Sequence, residues 1–90
     1  MERVHRIFPN TLRLHRRAAG YTQRQVASLL GLYDTVPISS WEKGEQLPNT
    51  VNLIKLCLIY RTLPIELYSD LVSAFREELE EREIEQLSQA

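Results

Sequence analysis

The stretch YTQRQVASLLGLYDTVPISSWEKG, residues 21–44, contains two short helical segments on either side of a glycine. Thr22 and Gln25 have the spacing of a capping box, in which each side chain satisfies the free backbone N–H of the other residue. Gly31 follows the first apolar segment and can adopt the positive φ that ends a helix. The pattern therefore predicts two helices in close succession, joined by this glycine.

Apolar residues elsewhere in the chain recur at helical rather than strand spacing. They predict an all-α domain of five helices, over about 10–19, 23–30, 35–43, 49–60 and from Leu63 onward. The fourth helix has an apolar face that we expect to point inward, made of Leu53, Ile54, Leu56, Cys57 and Tyr60. The fifth helix carries an apolar stripe at four-residue spacing, made of Leu67, Leu71, Phe75 and Leu79.

We expect three parts in the chain: an N-terminal arm over 1–8, a helical domain over 9–76 and an acidic helix end over 77–90. The last part is expected to fray, because Glu77 and Glu81 repel each other at i,i+4 spacing. A chain of 90 residues is long enough for one domain. Folding of such a chain buries about 60–65% of the surface that the unfolded form exposes.

The net charge is −1, but the charges are unevenly distributed along the chain. Residues 1–30 contain six Arg against one Glu, and residues 61–90 contain three Arg against eight acids. A basic first third and an acidic last third make an electrical dipole that would orient the domain toward phosphate. The alternative interpretation is that the acidic helix only keeps the protein soluble.

Several classes of protein find no support in the sequence. The apolar runs are too short for a membrane-spanning helix, and the N-terminus lacks the apolar block of a secretory signal. The single cysteine, Cys57, excludes an internal disulfide, and His5 and His15 lack the spacing of metal ligands. We therefore expect a cytoplasmic protein with no metal, no cofactor, no membrane partner and no enzymatic activity.

Residues from about Leu12 to Tyr68 resemble the Cro/repressor-type helix-turn-helix family, which includes the phage lambda repressor DNA-binding domain. The matching residues are Leu12, Arg16, Thr22, Gln23, Val26, Ala27, Gly31, Ile38, Ser39, the run Trp41–Gly44, Leu47, Pro48, Leu53, Leu56 and Leu67. The resemblance implies a compact five-helix lambda-repressor-like fold, here with an extended C-terminal helix. It also implies a transcription regulator that places the third helix in the major groove of double-stranded DNA.

By the same resemblance, Gln23 is expected to bind the DNA backbone from the start of the second helix, where free N–H groups favour an anion. Arg16 is expected to pair with Glu42 and to lock the first helix to the third. The residues expected to contact DNA are Gln23, Arg24, Tyr33, Thr35, Val36, Ser39, Ser40, Lys43, Asn49 and Thr50. For several of them the alternative is a role in capping or in ordinary surface solvation.

The start of the third helix departs from the family pattern. Gly31 and Ile38 enclose six residues, one more than in most members, and Pro37 is tolerated only in the first turn of a helix. Asp34 or Thr35 is the best available N-cap. The side chains expected to face the groove are Thr35, Val36, Ser39 and Ser40. They lack the paired groups with which Arg, Lys, Asn and Gln read purine edges. They predict modest direct readout, with dimer spacing or DNA shape supplying more of the specificity.

The fifth helix is the expected site of a homodimer contact through Leu71, Phe75 and Leu79, although Leu71 has an alternative place in the domain core. A second hypothesis is a protein-interaction or antitoxin-like module that keeps the fold but has weak DNA affinity. The near-neutral net charge and the acidic C-terminal helix favour this second hypothesis.

Overall fold

The computed structural model describes residues 7–89, which form six α-helices and no strand. The helices are α1 (Leu12–Ala18), α2 (Gln23–Leu30), α3 (Val36–Glu42), α4 (Thr50–Tyr60), α5 (Pro64–Leu67) and α6 (Ser69–Gln89). The all-α prediction is confirmed, with one helix more than expected. Residues 1–6 of the expected N-terminal arm, with His5 among them, lie outside the described residues, as does Ala90.

The capping box predicted at the start of α2 is present. The Thr22 hydroxyl accepts a hydrogen bond from the N–H of Gln25 at 3.1 Å, and the Gln25 Oε1 accepts one from the N–H of Thr22 at 2.8 Å. At the other end of the helix Gly31 adopts φ +74°. Both ends of α2 therefore lie where the sequence predicts them.

The segment that contains the extra residue also caps α3. α3 begins at Val36 with Pro37 as its second residue, where the missing proline N–H would have no helical partner in any case. Of the two candidate caps, Asp34 fills the role, because its Oδ1 accepts a hydrogen bond from the N–H of Val36 at 3.0 Å. Thr35 makes no side-chain capping bond.

The core draws side chains from each of the first five helices. Its buried members are Leu12, Val26, Ala27, Leu30, Ile38, Trp41, Leu56, Tyr60, Leu67 and Tyr68. Val26 and Ile38 are both almost fully buried, as expected for the seam between α2 and α3. Each fully buried aliphatic side chain stabilises the fold by about 1.5–3 kcal/mol. Ile54 was wrongly predicted to face inward: it is 55% exposed, because two residues along a helix lie on nearly opposite sides and Leu56 takes the buried position.

The long fifth helix of the prediction is broken in two at Tyr68, which has φ −128° and ψ 44°. Thr11, the residue before α1, supplies the reason. The Leu67 carbonyl accepts a hydrogen bond from the N–H of Thr11 at 2.9 Å, and the Glu66 carbonyl accepts one from the Thr11 hydroxyl at 3.0 Å. The carbonyls at the end of α5 therefore bond to Thr11 at the start of α1, and a separate helix, α6, begins at Ser69.

α6 has no buried residue and is helical as far as Gln89, and the fraying expected over its last residues stays a prediction. Repulsion between Glu77 and Glu81 is offset by the salt bridge of Glu78 with Arg82, in which Oε2 and Nη2 are 3.0 Å apart. Most other residues of this segment are Glu, Leu and Gln, which favour helix.

The buried hydroxyl of Tyr68 has no hydrogen-bond partner among the described residues. Burial raises the pKa of Tyr68 to about 12, and the nearby Cys57 thiol contributes to the shift. Tyr68→Phe removes an unsatisfied polar group, so the free energy of unfolding at pH 7 should rise by about 1 kcal/mol.

The same substitution should reduce the loss of stability at high pH. The pKa of Tyr68 is about 12 in the folded chain and has the ordinary value of 10 in the unfolded chain. The unfolded chain therefore loses its proton first, and the free energy of unfolding, constant below pH 10, falls as the pH rises toward about 12. Urea unfolding of Tyr68→Phe between pH 7 and 11.5 checks both effects, with Tyr33→Phe as the control because Tyr33 is fully exposed. A variant less stable than the parent chain at pH 7 would contradict the assignment of an unsatisfied hydroxyl.

Candidate nucleic-acid interface

The two sides of α3 differ in burial and in chemistry. Ile38 and Trp41 lie on the side that packs into the core. Because successive helical residues are rotated by about 100°, the opposite side carries Val36, Ser39, Ser40 and Lys43. Val36 is 67% exposed, Lys43 is exposed and the two serines are half-buried. These four predicted DNA contacts therefore share one accessible helix face, which we call the α3 outer face.

Other predicted contacts lie on the elements on either side of α3. Tyr33 is fully exposed and Thr35 is half-buried in the segment before the helix. Asn49 and Thr50 are exposed at the start of α4, where the Asn49 Oδ1 caps the helix by accepting a hydrogen bond from the N–H of Asn52 at 2.8 Å. The capping role that was the alternative for Asn49 is therefore present, and it uses the side-chain oxygen.

A hydrogen-bonded ion pair joins α1 to α3. Arg16 Nε lies 2.6 Å from Glu42 Oε2, and Arg16 Nη2 lies 3.2 Å from Oε1. Arg16 Nη1 also donates to the Tyr21 carbonyl at 2.9 Å. The hydrogen bond to Glu42 raises the pKa of Arg16 against the opposing effect of burial, so the guanidinium stays charged. The pair predicted from the sequence is present with two-point geometry, which fixes orientation as well as distance.

Tyr60 lies close enough to this ion pair to feel its charges. The residue is only 6% exposed, and burial together with the negative charge of Glu42 holds the pKa of Tyr60 well above its usual value. Tyr60 therefore remains neutral and adds no charge to the pair.

Gln23 belongs to the same network, which the sequence prediction missed. Its Nε2 donates a hydrogen bond to Glu42 Oε1 at 3.0 Å, so the amide is held against α3. One signal in the sequence indicates this orientation. Gln23 lies on the same helical stripe as Val26, Ala27 and Leu30, all of which are buried against the core.

Asn10 connects the start of α1 with the end of α3. Its Oδ1 accepts a hydrogen bond from the N–H of Leu12 at 2.9 Å, and its Nδ2 donates to the Trp41 carbonyl at 3.0 Å. The N–H of Phe8 donates to the Gly44 carbonyl at 3.0 Å. These contacts hold the end of α3 against the segment that precedes α1.

The residues predicted for a dimer contact divide into two groups. Leu71 is half-buried and packs against the core, in agreement with the alternative considered for it. Phe75 is 51% exposed and Leu79 is 57% exposed on α6.

Within residues 7–89 there is no group of three or more His, Cys, Asp or Glu residues placed to hold a metal ion. No helix in the described part of the chain is both long enough and apolar enough to span a membrane.

The match with a family model covers the region built around α3. A family model described as a helix-turn-helix domain matches residues 10–69, which is about two thirds of the chain. Comparison with curated proteins and with solved structures finds no match. The matched region contains the capping box, the turn at Gly31 and the ion pair of Arg16 with Glu42. The resemblance stated from the sequence is thereby confirmed at the level of the family, and the chain belongs to the helix-turn-helix domain family.

Proposed function

We propose that this protein is a transcription regulator of the Cro/repressor type, acting in the cytoplasm on double-stranded DNA. The observation that carries the proposal is the α3 outer face, which is accessible while the opposite face is locked into the core. The network of Arg16, Glu42 and Gln23 fixes α3 to both preceding helices. A rigid helix presented in this way fits the major groove of B-DNA.

The chemistry of the α3 outer face favours modest base readout. Ser39 and Ser40 offer single hydroxyl groups, and Val36 or the methyl group of Thr35 would pack on the methyl group of thymine. Asp34 is committed to capping α3. We infer that each copy discriminates weakly among base sequences and that the spacing of paired half-sites adds specificity.

Phosphate contacts would come from the α3 outer face and from the starts of α2 and α4. Lys43 of the α3 outer face and the exposed Arg24 of α2 supply the positive charges, and Asn49 and Thr50 supply neutral donors. Gln23 uses one amide hydrogen for Glu42 and has a second amide hydrogen available for a phosphate oxygen. In this arrangement Glu42 orients the phosphate contact of Gln23.

A homodimer formed through α6 would present two copies of α3 to DNA. Phe75 and Leu79 are the proposed contacts, because both are large apolar side chains that remain about half exposed. Half-sites for such a dimer should be centred about 34–36 Å apart or at a multiple of this distance.

Selection of bound duplexes from random DNA tests the proposed function. We expect enrichment of two similar short half-sites at one fixed spacing. If no sequence is enriched and a mixed duplex is not retained even at low salt, the regulator proposal fails. The protein-interaction module of weak DNA affinity would then be the better description.

Lys43→Ala should weaken binding to every DNA sequence and make it less dependent on salt. A dimer would lose two phosphate contacts, which lowers the steepness of log affinity against log salt by about 1.8. Fluorescence anisotropy with a labelled duplex at 50–300 mM salt measures both quantities. Lys55→Ala is the matched control, because it removes an exposed lysine outside the proposed contacts. Equal slopes for Lys43→Ala and the parent chain would contradict the phosphate contact.

A further inference from the structure

α6 carries a seam of the kind that pairs two helices. Val72, Phe75, Leu79, Arg82 and Gln86 follow alternating steps of three and four residues, which is the spacing of a coiled-coil interface. Apolar side chains occupy its first half, and Phe75 and Leu79 are exposed there. We call this set the α6 seam.

An apolar groove of about 440 Å³ lies beside the α6 seam. The loop residues Leu47 and Pro48 line one side, and Ile65 of α5 lines another. Val72 and Phe75 belong to both the groove and the α6 seam. The groove and the seam therefore form one continuous apolar surface, which suits a single occupant that lies along α6.

Charges beside the α6 seam distinguish the two directions in which a second copy of α6 could pair. In a parallel pair, Arg82 would face its own copy and Glu78 would lie near Glu83 of the other chain, so both contacts repel. In an antiparallel pair, Arg76 would lie near Glu83 of the second copy, and the symmetry would repeat this attractive contact. The charge pattern therefore disfavours the parallel pair and matches the antiparallel one.

We propose that α6 pairs antiparallel with α6 of a second copy, with Phe75 of each chain opposite Leu79 of the other and Val72 opposite Arg82. The charge of Arg82 is already matched within its own helix by Glu78 at 3.0 Å. Its aliphatic stem covers Val72 of the second copy while the charged end stays in water. Both exposed apolar residues of the seam lose contact with water at once.

The antiparallel register also covers the edge of the groove beside α6. The crossing point lies at residue 77, so Leu79 and the aliphatic stem of Arg82 of the second copy lie over Phe75 and Val72, which line the groove. A second copy thus accounts for the seam and for the adjoining side of the groove together. This inference rests on the exposed seam and on the charges beside it. It also rests on the proposed dimer and is independent of DNA binding.

Disulfide trapping tests the register. Val72→Cys and Arg82→Cys are each made in a chain that also carries Cys57→Ser, and the two variants are oxidised separately and as a mixture. We expect a disulfide between the two variants in the mixture and none in either variant alone. In the antiparallel pair two copies of residue 72 lie about 15 Å apart along the axis, beyond the 7 Å that a disulfide can bridge.

Sedimentation equilibrium of the full-length parent chain decides what a negative result means. If the chain is a dimer and Val72→Cys links to itself, the antiparallel register is wrong while the proposed dimer survives. If the chain is a monomer at all concentrations, the register and the proposed dimer both fail, and the DNA-binding proposal is judged separately by the binding assays.

A charge exchange gives an independent readout of the same register. Arg76→Glu and Glu83→Arg should each raise the dimer dissociation constant about tenfold, and the double variant should restore it. Glu81→Arg is the matched control on the opposite side of α6, and it should not weaken the dimer. A double variant as weak as the sum of the two single variants would overturn the proposed contact.

Discussion

Glu42→Gln is expected to lower the free energy of unfolding by about 3–5 kcal/mol, the range found when one partner of a buried ion pair is removed. The substitution leaves the Arg16 guanidinium buried without its counter-charge, since Arg16 is only 7% exposed. It also weakens the acceptor for Gln23, which would loosen the start of α2 from α3. The effect is a large share of the stability of a domain of this size.

Urea denaturation measures this loss, and Glu45→Gln is the matched control. Glu45 is exposed three residues further along the chain, so its change should stay within about 0.5 kcal/mol. A second comparison separates charge from packing. Replacing both Arg16 and Glu42 by apolar residues of similar volume should recover much of the loss, because no buried charge is then left alone. Equal effects of Glu42→Gln and Glu45→Gln would show that the ion pair does not hold α3.

Replacing Phe75 and Leu79 together by Ser is expected to abolish the dimer and to weaken binding to paired half-sites by about 100-fold. The reason is that two linked half-site contacts bind with an effective concentration that separate chains do not have. Affinity for a single half-site should remain, since neither residue contributes to the buried core. Sedimentation together with anisotropy on one-site and two-site duplexes measures both parts of the prediction.

Ile84→Ser is the matched control for this double variant. Ile84 is exposed on α6 but lies on the side of the helix away from the α6 seam. It should leave both the dimer and the affinity for paired half-sites unchanged. If the double variant binds paired half-sites as tightly as the parent chain does, the α6 contact has no part in DNA recognition.

Much of the fold can be predicted from the sequence because its signals are local. The capping box of Thr22 with Gln25 and the positive φ of Gly31 depend on residues three or four positions apart, and both are confirmed. The break at Tyr68 depends instead on hydrogen bonds from Thr11, more than fifty residues away in sequence. Apolar spacing contains no information about such a contact, so one continuous helix was predicted.

The candidate site shows the same division between local and long-range signals. Arg16 with Glu42 was predicted only through resemblance to a family, because their spacing in the sequence does not reveal that they meet. The contact of Gln23 with Glu42 was missed since residue type alone suggested a surface donor at a helix start. Its place on the buried stripe of α2 was the available signal. The chemistry of the α3 outer face, in contrast, follows from the sequence once the helix bounds are known.

We propose that this helix-turn-helix domain binds DNA through phosphate contacts around the α3 outer face. Titration of a fluorescent mixed-sequence duplex with the full-length chain at several salt concentrations tests it most directly. Arg24 and Lys43 from each copy of a dimer would neutralise four phosphates, which predicts a log–log slope of about −3.6. Binding that tightens steeply as salt is lowered, with a slope near this value, is the expected result. The absence of any binding at about 50 mM salt would contradict the claim, because electrostatic attraction to phosphate is then at its strongest.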